Sequence, residues 1–167
     1  PAHMRLSICR RLSTRPFAVV SGASFRAGAL AGGSIASGFG TELRDEEAHA
    51  TAVPLPTELA GVSVRVTPED GSPQDAELFY VSLEQINFTL PDVTSPTSML
   101  VEVMRDGEVV SSGSVQAVAV APALFTGDLS GSGPAAGFVV ELRGDEQTRV
   151  ALYDSEAMEI VPIDLSD

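Results

Sequence analysis

The chain has 167 residues, 44% of them hydrophobic and 20% charged. That is enough for one domain with a real core, and it excludes a disordered chain. Fifteen Gly, eleven Pro and no Trp exclude a protein of long helices, and no apolar run approaches the ~20 residues that cross a bilayer.

Twenty-three acids oppose ten bases, all of them Arg, for a net charge of −13. Four of the arginines (Arg5, Arg10, Arg11, Arg15) fall in the first 15 residues. Residues 16–167 therefore hold six Arg against 23 acids, a net of −17. Such a body repels nucleic acid and anionic membranes, so neither is expected as a partner. The single cysteine, Cys9, excludes an internal disulfide and reads as an exposed thiol in a basic head.

Pro1–His3 read as a cloning remnant before Met4. Residues 1–16 as a whole read as that remnant plus a flexible basic head, with one domain over 17–167. Arg10 and Arg11 interrupt the apolar residues, so the head lacks the uninterrupted apolar run of an export signal. FAVV (Phe17–Val20) is the first strand candidate and Ser34–Phe39 the second. Glu42–Ala50 has no apolar face and reads as an exposed loop or one helical turn.

Beyond Pro56 the period of two is clear. Val62, Val64 and Val66 alternate with Gly61, Ser63 and Arg65, which buries one face of a sheet. Leu78–Val81, Gln85–Leu90 and Met99–Met104 follow as strands. Asp106-Gly107 is a hairpin signal that leads into a long return strand, Val109–Val120. A Gly/Ser linker precedes a last hairpin, Phe138–Leu142 and Thr148–Tyr153, turning at Gly144-Asp145. Met158–Ile163 is a final candidate.

About eight to ten short strands at regular spacing predict an all-β antiparallel sandwich or barrel. The expected core is Val62, Val64, Val66, Phe79, Val81, Ile86, Phe88, Val101, Val103 and Phe125. Asn87 lies between Ile86 and Phe88, so it faces away from both, with its amide expected to bond neighbouring backbone.

Four segments carry a family resemblance: ASFRAGALAGGSIASGFGTEL (23–43), PLPTELAGVSVRV (54–66), LFYVSLEQINFTLP (78–91) and APALFT (121–126). In order and spacing they resemble the uncharacterised C-terminal domain of secreted proteins from Solibacter-type soil bacteria, which is similar to IPT/TIG immunoglobulin-like domains. Leu83-Glu84 stand where Pro-Thr is usual, and Ala31-Gly32 where Ala-Pro is usual. The resemblance implies an immunoglobulin-like antiparallel β-sandwich and an extracellular or cell-surface location. It assigns no activity. It implies a structural, adhesive or carbohydrate-facing accessory module that contacts neighbouring domains of a larger exported protein.

Catalytic chemistry is sparse. The only histidines are His3 and His49, and no G-x-S-x-G elbow occurs. A metal-assisted hydrolase would have to use His49 with Asp45, Glu46 and Glu47. The spacing of Glu46 and His49 would matter only on a helix. A second cluster, Glu69, Asp70, Asp75 and Glu77, surrounds Gly71-Ser72 in a turn that could wrap Ca2+, the one cofactor considered. Calcium-dependent carbohydrate binding is the third reading, although few aromatics are available for stacking. Gly131–Gly137 lacks the Lys of a phosphate loop and reads as linker. Arg143-Gly144-Asp145 is good turn chemistry, as Asn87-Phe88-Thr89 is a chance glycosylation sequon. Two open sheet edges and the Arg-rich head predict a weak homodimer.

Overall fold

A computed structural model describes residues 14–143 and 145–162. Cys9, the head up to residue 13, Gly144 and the stretch from Ile163 onward lie outside the described residues, and so do the expectations that fall on them.

The described residues contain sixteen strands and no helix. In chain order they are β1 (Arg15–Pro16), β2 (Ala18–Ser21), β3 (Ala29–Ala31), β4 (Ile35–Phe39), β5 (Ala48–His49), β6 (Glu58–Leu59), β7 (Val62–Pro68) and β8 (Gln74–Asp75). Then come β9 (Leu78–Val81), β10 (Gln85–Thr89), β11 (Thr97–Arg105), β12 (Glu108–Val118), β13 (Phe138–Arg143), β14 (Glu146–Ala151), β15 (Tyr153–Asp154) and β16 (Glu159–Ile160). The excess over the expected number comes mainly from pieces of two or three residues, too short to show a period.

Two sheets form the sandwich. The first runs β1-β12-β11-β7-β6, with β3 also on β12 and β8 also on β7. The second runs β2-β4-β10-β9-β5. Pairing is antiparallel except that β1 and β3 both lie parallel to β12. Each edge of the first sheet thus carries two short strands end to end. Short strands of this kind blunt an edge.

The chain changes sheets at Phe17, between β1 and β2. Its ring is buried and stacks on Phe88 with centroids 6.5 Å apart. Among the described residues, pairing therefore starts at Arg15, inside the segment assigned to the head.

Val62, Val64, Val66, Val101 and Val103 line the first sheet's inner face, and Val81, Ile86 and Phe88 the second's, all at 0% exposure. Two expected core residues are not there. Phe79 is only half-buried, because β9 bulges: Tyr80 pairs with Asn87 and Leu78 with Phe88, leaving Phe79 as the extra residue. Phe125 is 50% exposed, since it lies beyond the last core strand.

Two hairpins turn through paired left-handed residues, Ala60-Gly61 and Asp106-Gly107 (φ 53° and 83° in the latter). This mirror-image turn matches the twist of the strands it joins. β13 and β14 pair as expected, and among the described residues only with each other. The core ends at Ala117, so the segment beyond it is an arm on the sandwich.

Candidate functional site

The residues of the two acidic clusters are spread along their loops. Among the described residues, no three His, Cys, Asp or Glu side chains gather where they could hold an ion. Asp45, Glu46 and Glu47 are exposed on the loop before β5, and no helical turn forms there. His49 sits on β5 with its ring 4.9 Å from that of Tyr80. In the second cluster, Glu69 and Asp70 are exposed in the turn after β7. Asp75 faces Arg65 across the β7–β8 pair, with an ion pair of 3.1 Å. Glu77 is exposed, and its carbonyl accepts from the Thr89 amide at 2.9 Å.

Three arginines gather around the turn at Thr41–Arg44. Arg105 donates to the Glu42 carbonyl at 3.0 Å, and Arg15 donates to Thr41 and Glu42 carbonyls while pairing with the Glu42 carboxylate. These guanidiniums hold the turn in place. Arg44 adds a buried Nε with no hydrogen-bond partner among the described residues.

The outer face of the second sheet is organised differently. Registers align Val20, Ser37, Asn87, Tyr80 and His49 in one row across all five strands. Phe39 and Gln85 form a neighbouring row, and Phe25 packs on Phe39 with centroids 6.5 Å apart. Asn87 faces outward as expected, but its amide bonds side chains, not backbone. Its Oδ1 accepts from Ser37 Oγ at 2.9 Å and Gln85 Nε2 at 2.8 Å. None of the residues in these rows is acidic, in a chain with 23 acids. This face was not legible in the sequence, because it depends on the register of five strands, one of them, β5, unread.

A groove lies between the Ser21–Ile35 segment and the Ala121–Ala135 segment. Its two connected parts, about 390 and 450 Å3, share Ser24, Arg26, Pro122 and Ala123. The Gly131–Gly137 stretch read as linker is tied down beside it. Ser130 Oγ accepts from the Ser132 and Gly133 amides, and Thr126 Oγ1 accepts from the Gly131 amide at 2.9 Å.

The arm beyond Ala117 exposes Val120, Leu124, Phe125, Leu129, Phe138, Val140, Leu142, Met158 and Ile160. That is nine of the fourteen large exposed hydrophobics among the described residues. It holds itself together by local bonds, including Ala136 N to Phe125 O at 2.7 Å and Leu152 N to Gly137 O at 2.9 Å. Two carboxylates in the arm are held below the ordinary value of 3.8. Asp128 accepts from the Ser130 amide and hydroxyl, and Asp154 accepts from the Ala157 and Glu156 amides.

Compared with known proteins, the chain matches no family model, no curated protein and no solved structure.

Proposed function

We propose that this β-sandwich is a non-catalytic, immunoglobulin-like accessory module of a larger exported bacterial protein. It acts through contacts with neighbouring domains. The observation that carries this reading is the apolar arm. Monomeric proteins rarely leave contiguous apolar surface uncovered, and a two-stranded ribbon such as β13–β14 is marginal on its own. Phe138, Val140 and Leu142 alternate along one face of β13 and are all exposed. A neighbouring domain that covers this stripe would stabilise both partners. The resemblance of the QINF, PLPT and GVSVRV segments to domains that end large secreted proteins supports the same reading. So does the absence of any dense catalytic constellation from the sequence.

The test is amide hydrogen exchange on the isolated chain and on the same chain joined to the domain that precedes it in its gene. Protection of residues 138–142 and 147–151 should rise in the longer protein. Unchanged exchange throughout the arm would refute domain contact through this surface. In parallel, turnover in a hydrolase panel that is lost in His49→Ala would overturn the non-catalytic assignment.

A further inference from the structure

We propose that the outer face of the second sheet binds a neutral polysaccharide, with Tyr80 and His49 as the stacking platform and Gln85 and Asn87 as the hydroxyl-reading pair. This inference goes beyond domain contact and does not rest on it.

The argument begins with the rings. Tyr80 is half-buried and anchored by its strand, and His49 is exposed beside it on the edge strand, with centroids 4.9 Å apart. A rigid aromatic with an apolar body and a polar tip suits the face of a sugar ring, which is apolar across its C–H bonds and polar at its rim. The Tyr80 hydroxyl has no hydrogen-bond partner among the described residues, so it is available to a ligand.

The amides come next. Asn87 Oδ1 is occupied twice, by Ser37 Oγ and Gln85 Nε2. Those bonds fix the orientation of both amides. Among the described residues, Asn87 Nδ2 is left to donate and Gln85 Oε1 to accept, in half-buried positions beside Tyr80. A fixed donor next to a fixed acceptor matches adjacent sugar hydroxyls, each of which both donates and accepts. The orientation is set before any ligand arrives, which lowers the ordering cost of binding.

Charge and shape then select the class. Neither row carries a carboxylate, so a neutral ligand fits them. An anionic polymer approaching the chain meets a net charge of −13. Ser37 is buried, so the part of the row open to a ligand runs from Asn87 through Tyr80 to His49, two strand spacings of ~4.8 Å or roughly 10 Å, enough for a short run of linked sugar units. The Phe25–Phe39 pair extends the apolar part of the surface beyond Gln85. None of these contacts involves a metal ligand, so binding needs no calcium.

The test is affinity electrophoresis of the full chain in native gels containing hydroxyethylcellulose, xyloglucan, galactomannan or polygalacturonate, with calorimetry on any polymer that retards it. At least one of the three neutral polymers should slow the protein, polygalacturonate should not, and EDTA should change nothing. Tyr80→Ala should weaken binding by about tenfold or more, whereas Tyr80→Phe, which keeps the ring, should retain most of it. His49→Ala removes an exposed ring at the sheet edge, so it reports on binding even if Tyr80→Ala misfolds; it should also weaken binding. Melting temperatures identify variants that fold. No retardation by any neutral polymer would overturn the proposal. So would retardation that persists unchanged in His49→Ala and in a folded Tyr80→Ala, or that disappears with EDTA.

Discussion

Gly113, in the middle of β12, is the position where a single methyl group should do most damage. A Cβ built there stands 1.8 Å from the Phe17 carbonyl oxygen and 2.9 Å from its carbonyl carbon. Ordinary non-bonded contact needs about 3.5 Å, so in Gly113→Ala the backbone of Phe17 must withdraw by well over an ångström. That movement threatens the bond from Phe17 N to Ser112 O at 2.9 Å and the bonds from Ser111 Oγ to the Arg15 and Pro16 carbonyls. Each is worth about 0.5–1.5 kcal/mol. It also threatens the burial of the Phe17 ring, whose complete removal would cost about 3–5 kcal/mol. The expected loss is about 3–5 kcal/mol, which lowers the melting temperature by roughly 6–20 °C for a chain of this size. Gly107→Ala is the control. No atom lies within 4 Å of a Cβ there, and only the φ of 83° opposes it, a cost of about 1–2 kcal/mol. Thermal denaturation of both variants, with exchange of the Phe17 amide, decides the matter. A Gly113→Ala protein that melts no lower than Gly107→Ala would refute the argument.

Phe88→Ala should cost about 3–5 kcal/mol in urea denaturation, whereas Phe125→Ala should cost under about 1 kcal/mol; equal losses would contradict the observed core. Ending the chain after Val120 should leave a cooperatively unfolding sandwich of nearly the same stability, because the core's last member is Ala117; loss of the two-state transition would show that the arm belongs to the core. Asp128 has a folded value below 3.8, so its contribution to loop stability is present above 3.8 and is lost as pH falls through the folded value. An NMR titration should place its midpoint below 3.8, and exchange at the Ser130 amide should quicken only under that acid condition; a midpoint at or above 3.8 would refute this. Millimolar calcium should leave the melting temperature unchanged; a rise that Asp70→Asn with Asp75→Asn abolishes would restore a site in that turn.

The strands that could be read were the ones long enough to repeat. Val62, Val64 and Val66 fix a face by alternation, and Ile86 with Phe88 does the same in five residues. Arg15–Pro16 and Ala48–His49 have two residues each, and two residues have no period. Their pairing is decided by the strands beside them. The Ser111–Ser114 stretch did carry a trace of Phe17 crossing close by, in its small residues. A glycine in a strand signals a close backbone approach without naming the partner. Phe125 was misplaced because APALFT has core-like composition, and composition does not say where the sandwich stops. His49 looked like a ligand because acids precede it in sequence, but β5 pairs with β9 and turns its ring toward Tyr80. The sheet face that forms the candidate site draws on five strands spread from Val20 to Asn87, so it exists only once the registers are set.

The parallel pairing of β1 with β12 has a mechanical consequence. Force applied to the chain before β1 and after β12 would pull these neighbours in opposite directions along their common axis. The linking bonds, from Phe17 N to Ser112 O and from Ser111 Oγ to Arg15 O and Pro16 O, would then be loaded together in shear and not opened one by one. Rupture under tension follows the unfolding rate. This short seam, held shut by the buried Phe17 ring, would set how long the sandwich survives when its two ends are drawn apart.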